Sequence, residues 1–342
     1  MLTLYVDTEA WRARLAAVVQ DNPGLVPVAK GNGYGFHNAR LAHEAAKFGA
    51  DMLAVGTVRE IEQVAPEYFG DLLVLTPYRT TQGPVDRSNR VVYTVSDLEG
   101  LLTLRGRRVV IECLTSLRRH GITEQELFRV IPALSDVKLE GFALHLPLDR
   151  PAGVDPIAEV INWVARLRSV GAPLQTLFVS HLTPEEMATL AQKFPDISFR
   201  PRIGTKLWLG DRSVFQVKAP VLDVIKIERG DRYGYRQHKA LSDGHLVVVT
   251  GGTAHGIGLS APKAFRGIMP RAKGMATAGL AQINAALSPF SWEGKQRWFA
   301  EPPHMQVSIL MLPSDVRPPV VGEELRADVR MTITNFDRIV ER

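Results

Sequence analysis

Eight short apolar runs punctuate the first part of this chain: Leu25 to Ala29, Met52 to Val55, Leu72 to Leu75, Val91 to Val95, Val109 to Leu114, Leu139 to Leu146, Leu177 to Ser180 and Ile197 to Ile203. Between most of them lie segments of helical period. Leu41, Ala45 and Phe48 precede Gly49, and Ile157, Val160, Ile161, Val164 and Leu167 precede Gly171. Strands buried on both faces read as unbroken apolar runs, and parallel strands need a connection long enough to hold a helix. The pattern therefore predicts an α/β fold. Eight such units favour closure into a (β/α)8 TIM-like barrel over an open sheet.

Near Val214 the texture changes. The stretches VLDVIKI at 221–227, LVVVT at 246–250, MQVSIL at 305–310 and VRMTIT at 329–334 are rich in β-branched residues and have no long helical period between them. They predict a second, mostly β domain, with the barrel over 1–215 and the β domain over 216–342. Leu2 to Val6 reads as a strand able to pack with the β domain, ahead of a helix capped by Asp7 or Thr8. The segment 260–303 is rich in Gly, Pro, Lys and Arg and carries Trp292 and Trp298. Its length without strong periodicity marks it as an insertion-like functional or interface segment.

Bulk properties narrow the function classes. The 41 basic and 36 acidic residues give a net charge of +5 and are interspersed along the chain. That balance suits small anions better than a nucleic-acid face. A single cysteine, Cys113, excludes an intramolecular disulfide and a thiolate-rich metal cage. The start, MLTLYVDTEAW, lacks the basic and long apolar regions of a secretory leader, and no apolar run reaches membrane-spanning length, so a cytoplasmic protein is expected.

A barrel concentrates its chemistry at the C-terminal ends of its strands. In VAKGNGYG at 28–35, Lys30 ends the first apolar run and opens a glycine-rich turn. A lysine held there and partly desolvated can lose its proton and attack a carbonyl. Arg119 follows the fifth run, and His145 ends the sixth. Ser180 and His181 end the seventh, and Arg202, Gly204 and Thr205 end the eighth. Any one of these is easily a packed or solvated side chain. Their common arrival at one rim points to a site.

Read together, these motifs resemble the alanine racemase family of fold-type III pyridoxal phosphate enzymes. Lys30, Asn32, Tyr34 and Gly35 match the family's Lys-Ala-Asn-Ala-Tyr-Gly motif. The resemblance implies that Lys30 carries pyridoxal 5'-phosphate covalently and that Tyr34 binds its phosphate. TSLRRHG at 115–121 then places Arg119 beside the cofactor's phenolic oxygen and the substrate carboxylate, and GFALH places His145 over the ring. VSHL aligns Ser180 and His181 with the family's phosphate-binding Asn-Ser pair. RIGTKLWLG sets Arg202 at the pyridine nitrogen, with the Gly204 and Thr205 N–H groups toward phosphate. An arginine there keeps its proton and leaves the ring nitrogen unprotonated.

Racemisation needs an acid/base group on each face of the α-carbon. In the family the second is a tyrosine from the partner subunit, just after a glycine-acidic-basic turn. Here that turn is Gly230-Asp231-Arg232, which selects Tyr235, with Tyr233 as the alternative. The resemblance thus implies a homodimer with shared sites acting on an amino acid, with no nucleic-acid or membrane partner.

Several positions depart from the family. Glu112 stands seven residues before Arg119, where many members have a carbamylated lysine, and is expected to hold Arg119 by a charge-assisted pair. His304-Met305-Gln306 replaces the family's Met-Asp at the substrate pocket, and threonines stand near its pocket tyrosines, at Thr253 and Thr334. These changes put alanine as the substrate in question. Two alternatives share the fold type: a non-catalytic cofactor-binding protein, and a metal-using D-amino-acid dehydratase or aldolase. The second would draw on His255 and His304, but the His-x-Cys pairing it requires is absent, so no metal is expected.

Overall fold

A computed structural model describes residues 1–82, 88–259 and 286–342. The chain divides into two compact units, one formed by Met1–Arg12 with Asp211–Arg342, the other by Ala13–Gly210. Strand β1 (Thr3–Val6) and the first turn of helix α1 (Thr8–Asp21) belong to the former.

The Ala13–Gly210 unit is a closed barrel of eight parallel strands, paired in chain order. They are β2 (Val26–Ala29), β3 (Met52–Val55), β4 (Asp71–Val74), β5 (Val91–Val95), β6 (Arg108–Cys113), β7 (Lys138–Leu144), β8 (Thr176–Val179) and β9 (Ser198–Ile203). The ring closes where Val26 and Pro27 meet Arg202 and Ile203. Among the described residues seven α-helices intervene or follow: α2 (Asn38–Lys47), α3 (Ile61–Val64), α4 (Leu98–Thr103), α5 (Leu127–Ala133), α6 (Pro156–Ser169), α7 (Pro184–Lys193) and α8 (Thr205–Leu209). Their starts follow local chemistry. Asp155 accepts the Ile157 N–H at 2.8 Å ahead of Pro156, and Thr183 and Glu186 form a reciprocal capping box ahead of Pro184.

The barrel is filled by Val26, Val28, Met52, Ala54, Leu73, Val92, Val110, Ala143 and Phe178, all nearly or fully buried. Successive side chains on a strand alternate faces, so the residue two places beyond each of these also points inward, nearer the C-terminal mouth.

In the other unit, eight antiparallel or mixed strands run in the order β13-β16-β15-β14-β17-β10-β1-β18. They are β10 (Phe215–Ile227), β13 (Gly244–Thr250), β14 (Leu287–Trp292), β15 (Lys295–Phe299), β16 (Val307–Pro313), β17 (Glu324–Ala327) and β18 (Arg338–Glu341), with β1. Two residue pairs, β11 (Arg232–Tyr233) and β12 (His238–Lys239), make a separate small hairpin. The 13-residue β10 pairs with β1, β17 and β13 along its length.

One expectation for this unit needs correction. Residues 329–334 are not a strand. The Ile333 and Thr334 N–H groups turn back to the Arg330 carbonyl, at 2.9 and 3.1 Å, while Val329, Met331 and Thr334 are buried. Here the apolar alternation serves a packed turn. The segment 260–303 is partly regular: β14 and β15 form a hairpin through Glu293 and Gly294, both at positive φ, as a tight two-residue turn requires. Trp292 and Trp298 lie in that hairpin, while residues 260–285 fall outside the described residues.

Candidate functional site

The period-two rule fixes which polar residues face the barrel interior. Lys30 lies two places beyond Val28, Glu112 beyond Val110, His145 beyond Ala143 and Ser180 beyond Phe178. Arg202 is two beyond Arg200, whose guanidinium lies 5.6 Å from the centre of the Phe178 ring. These residues come from β2, β6, β7, β8 and β9 and converge at one end.

Glu112 Oε2 accepts a hydrogen bond from Arg202 Nη1 at 3.1 Å, with both side chains buried. The pairing of Glu112 with Arg119 expected from the sequence is therefore corrected. Glu112 points into the barrel, whereas Arg119 stands in an exposed loop beyond β6. The remaining Arg202 donors, Nε and Nη2, are buried and have no acceptor among the described residues.

Lys30 is solvent-accessible in the mouth, and its pKa is lowered by partial burial and then by the Arg119 and Arg202 charges, with Glu60 opposing them. Glu60 was not singled out from the sequence. Its carboxylate accepts the N–H groups of Gly31 at 2.8 Å, Gly56 at 2.6 Å and Thr57 at 3.0 Å, tying the turn after Lys30 to the end of β3. Only the Thr57-x-x-Glu60 capping-box spacing hinted at it.

Tyr34 is buried at φ 55, and burial, then Glu60, raises the pKa of its hydroxyl. That hydroxyl occupies the space a side chain at Gly204 would need, since a Cβ there would lie 2.1 Å away. Gly204 opens α8, whose Trp208 donates Nε1–H to the Val28 carbonyl at 2.8 Å. Tyr34, Gly204 and the exposed Thr205 thus meet beside the strand that carries Lys30.

On the other side of the mouth, Ser180 Oγ accepts the Leu146 N–H at 3.1 Å and lies 2.9 Å from His145 Nδ1. The His145 and His181 rings meet edge to face with centres 5.4 Å apart. Burial, followed by Arg202 and Arg119, pushes His145 down to about 3. His181, at φ 59, is lowered by burial, Arg202 and Lys30. Both imidazoles are neutral near pH 7, in a mouth where cationic side chains outnumber Glu112 and Glu60. Such a cavity favours an anionic ligand with acceptor atoms.

Tyr235 and Tyr233 belong to the other unit, as do His304 and Met305. Tyr235 is 85% exposed at the tip between β11 and β12, and its ring stacks on His304 with centres 4.7 Å apart. Tyr233 is half-buried, and burial and then Glu301 raise its hydroxyl pKa. Met305 is exposed. The two histidines considered as metal ligands sit in separate pairs, His255 with Asp337 at 3.1 Å and His304 with Glu301 at 2.6 Å.

Among known proteins, an alanine racemase of Corynebacterium glutamicum is 24% identical over 279 residues, spanning 75% of this chain and 77% of that protein. The structure of an alanine racemase from Bartonella henselae with covalently bound pyridoxal phosphate superposes with a TM-score of 0.72 at 15% identity, covering 100% of this chain and 99% of that one. A histidine racemase from Leuconostoc mesenteroides subsp. sake has the same fold, with a TM-score of 0.67 at 14% identity, covering 100% and 97%. Residues 6–180 match the family described as alanine racemase, N-terminal domain. With the lysine-ended strand, the tyrosine-bearing turn and the closed barrel in hand, this match assigns the chain to the alanine racemase family.

Proposed function

We propose that the protein is a pyridoxal phosphate-dependent amino-acid racemase in which Lys30 and the partner subunit's Tyr235 act on opposite faces of the α-carbon. The observation that carries this reading is the barrel mouth: a lysine with lowered pKa shares it with a buried arginine whose Nε and Nη2 groups lack acceptors among the described residues. Unmet donors on a buried guanidinium are costly, and an acceptor such as an unprotonated pyridine nitrogen would satisfy one of them. In this respect the residues fit the cofactor.

In this reading Lys30 would hold the cofactor covalently, and Tyr34, Ser180, His181 and the N–H groups of Gly204 and Thr205 would hold its phosphate. His145 would cover the ring, Arg202 would face its nitrogen, and Arg119 would take its phenolic oxygen and the substrate carboxylate. When bound, the cofactor supplies an electron sink that acidifies the α-C–H bond of an amino acid. The protein supplies the proton traffic. Lys30 Nζ, whose pKa is lowered by burial and by the Arg119 and Arg202 charges, can accept a proton and return it. Tyr235 is preferred over Tyr233 because its ring is exposed, whereas Tyr233 is half-buried with a raised hydroxyl pKa. Arg202 keeps its protons, so its N–H groups stay donors throughout.

Arg119 and Met305 would contact the carboxylate and side chain of the amino acid, while His304 lies beneath the Tyr235 ring. Met305 and its neighbour His304 stand where the family has Met-Asp, so the amino acid is left open. The test is solvent deuterium incorporation at the α-carbon, measured by proton NMR over a panel of L- and D-amino acids with the cofactor-loaded protein. Exchange and loss of optical activity for one amino acid, both abolished by Lys30→Ala, are expected. No α-exchange for any amino acid would overturn the proposal.

A further inference from the structure

Tyr235 is a large, exposed ring at the tip of a two-residue-strand hairpin, a place where a side chain ordinarily samples several rotamers. Here it does not stand alone. Its ring stacks on His304 with centres 4.7 Å apart and planes at 30°. His304 Nε2 donates to Glu301 Oε1 at 2.6 Å, and Glu301 Oε2 accepts the Tyr235 backbone N–H at 3.0 Å. One carboxylate thus holds both the backbone of Tyr235 and the imidazole beneath its ring.

Glu301 is only 3% exposed. Burying a carboxylate is unfavourable unless its lone pairs are filled, and charge-assisted hydrogen bonds fill them here. The backbone makes room for this arrangement. Gly234 sits at φ +71, and a Cβ there would come 2.2 Å from Glu301 Oε2. The segment bearing the pair is itself fixed, because the Ala300 N–H reaches the Ile309 carbonyl at 2.8 Å and the His304 N–H reaches the Val307 carbonyl at 2.9 Å. Pro302 and Pro303 stiffen the stretch between the two residues.

We infer that Glu301 and His304 are positioning residues for Tyr235, holding its ring in one orientation so that its hydroxyl is presented to the amino acid at a fixed place. The inference rests on the reading of Tyr235 as the second acid/base group. Neither residue needs to touch the reacting atoms. Displacing a catalytic group by about 1 Å can cost on the order of 100-fold in rate, which gives such a support its purpose.

The test combines a catalytic readout with one that needs no catalysis. The full-length protein is labelled with 3-fluorotyrosine, and the Tyr235 fluorine resonance is assigned by its disappearance in Tyr235→Phe. In the wild type this resonance should lie away from the free-tyrosine position because of the stacked imidazole. In His304→Ala and Glu301→Ala it should move to the free position, and in His304→Phe, which keeps a ring, it should stay displaced. In the cofactor-loaded enzyme, α-proton exchange is followed separately for the L and D forms of alanine, or of the panel pair that exchanges fastest. His304→Ala and Glu301→Ala should slow the enantiomer that Tyr235→Phe slows, by about 10- to 100-fold and mainly in kcat. The other enantiomer should keep its exchange through Lys30.

An unmoved fluorine resonance in His304→Ala, or equal losses for both enantiomers, would overturn the inference. If Glu301→Ala does not fold, His304→Ala alone decides the matter. A Tyr235→Phe variant without enantiomer-selective loss would instead overturn the acid/base reading, and the fluorine shift keeps the two failures apart.

Discussion

Lys30 is held between opposing charges, and the balance sets when its amine is free. Burial, Arg119 and Arg202 lower its pKa while Glu60 raises it. Replacing Glu60 with glutamine removes the opposing charge, so the pKa of Lys30 should fall further. The rate of covalent cofactor capture, followed by absorbance across pH, should then titrate at lower pH in Glu60→Gln than in the wild type. A shift toward higher pH would contradict this balance. Glu112 carries a different burden, since it is the charge partner of a buried arginine. Removing one member of a buried pair typically costs about 3–5 kcal/mol, so Glu112→Ala should lower the urea midpoint by a corresponding amount, and Glu112→Gln by less. His145 makes stability depend on acid. Its folded pKa is about 3, against about 6.5 for an unfolded histidine. Between these values the unfolded chain binds more protons, so stability falls as pH drops from about 6.5 toward 3. The urea midpoint should decline less between pH 7 and pH 5 in His145→Gln. His181 adds a decline of the same sign. Much at this scale was visible in the sequence, because strand-end polar residues follow the alternation of the core. What was hidden were the partners. The seven-residue spacing of Glu112 and Arg119 gave no direction for either side chain, and Glu60 bonds backbone N–H groups, which leave no compositional trace.

At the scale of elements, the barrel strands were legible because strands covered on both faces are nearly all apolar. The β14–β15 hairpin was not. Its sequence, LSPFSWEGKQRWF, mixes Pro, Lys, Gln and Arg into strands that alternate between buried and exposed positions, and Gly294 was the main turn signal. Residues 329–334 misled in the opposite sense, since β-branched residues packed in a turn look like a strand until the hydrogen bonds are followed. The start of α8 gives a test at this scale. A methyl group at Gly204 would collide with the Tyr34 hydroxyl, so Gly204→Ala must displace either the ring or the helix. Overpacking of this kind costs about 1–3 kcal/mol. The variant should unfold at lower urea and bind pyridoxal phosphate more weakly by equilibrium dialysis. Unchanged affinity would separate this contact from the phosphate-binding role proposed for Tyr34 and Gly204.

For the whole molecule, the proposal divides the two acid/base groups between units, with Lys30 in the barrel and Tyr235 in the β unit of a partner. Chains carrying Lys30→Ala and chains carrying Tyr235→Phe should each fail to racemise alone. If sites are shared in a homodimer, a mixed dimer has one site with both lesions and one with neither, so mixing should restore activity. No recovery in mixtures shown to exchange subunits would place both groups within one chain or remove Tyr235 from the mechanism. The central claim is narrower still: that Lys30 bears the cofactor. The protein loaded with pyridoxal phosphate is reduced with borodeuteride, digested and mapped by mass spectrometry. The account predicts a single deuterated pyridoxyl adduct on Lys30 and none in Lys30→Ala, whereas an adduct on another lysine, or no adduct in protein that retains the cofactor, would contradict it.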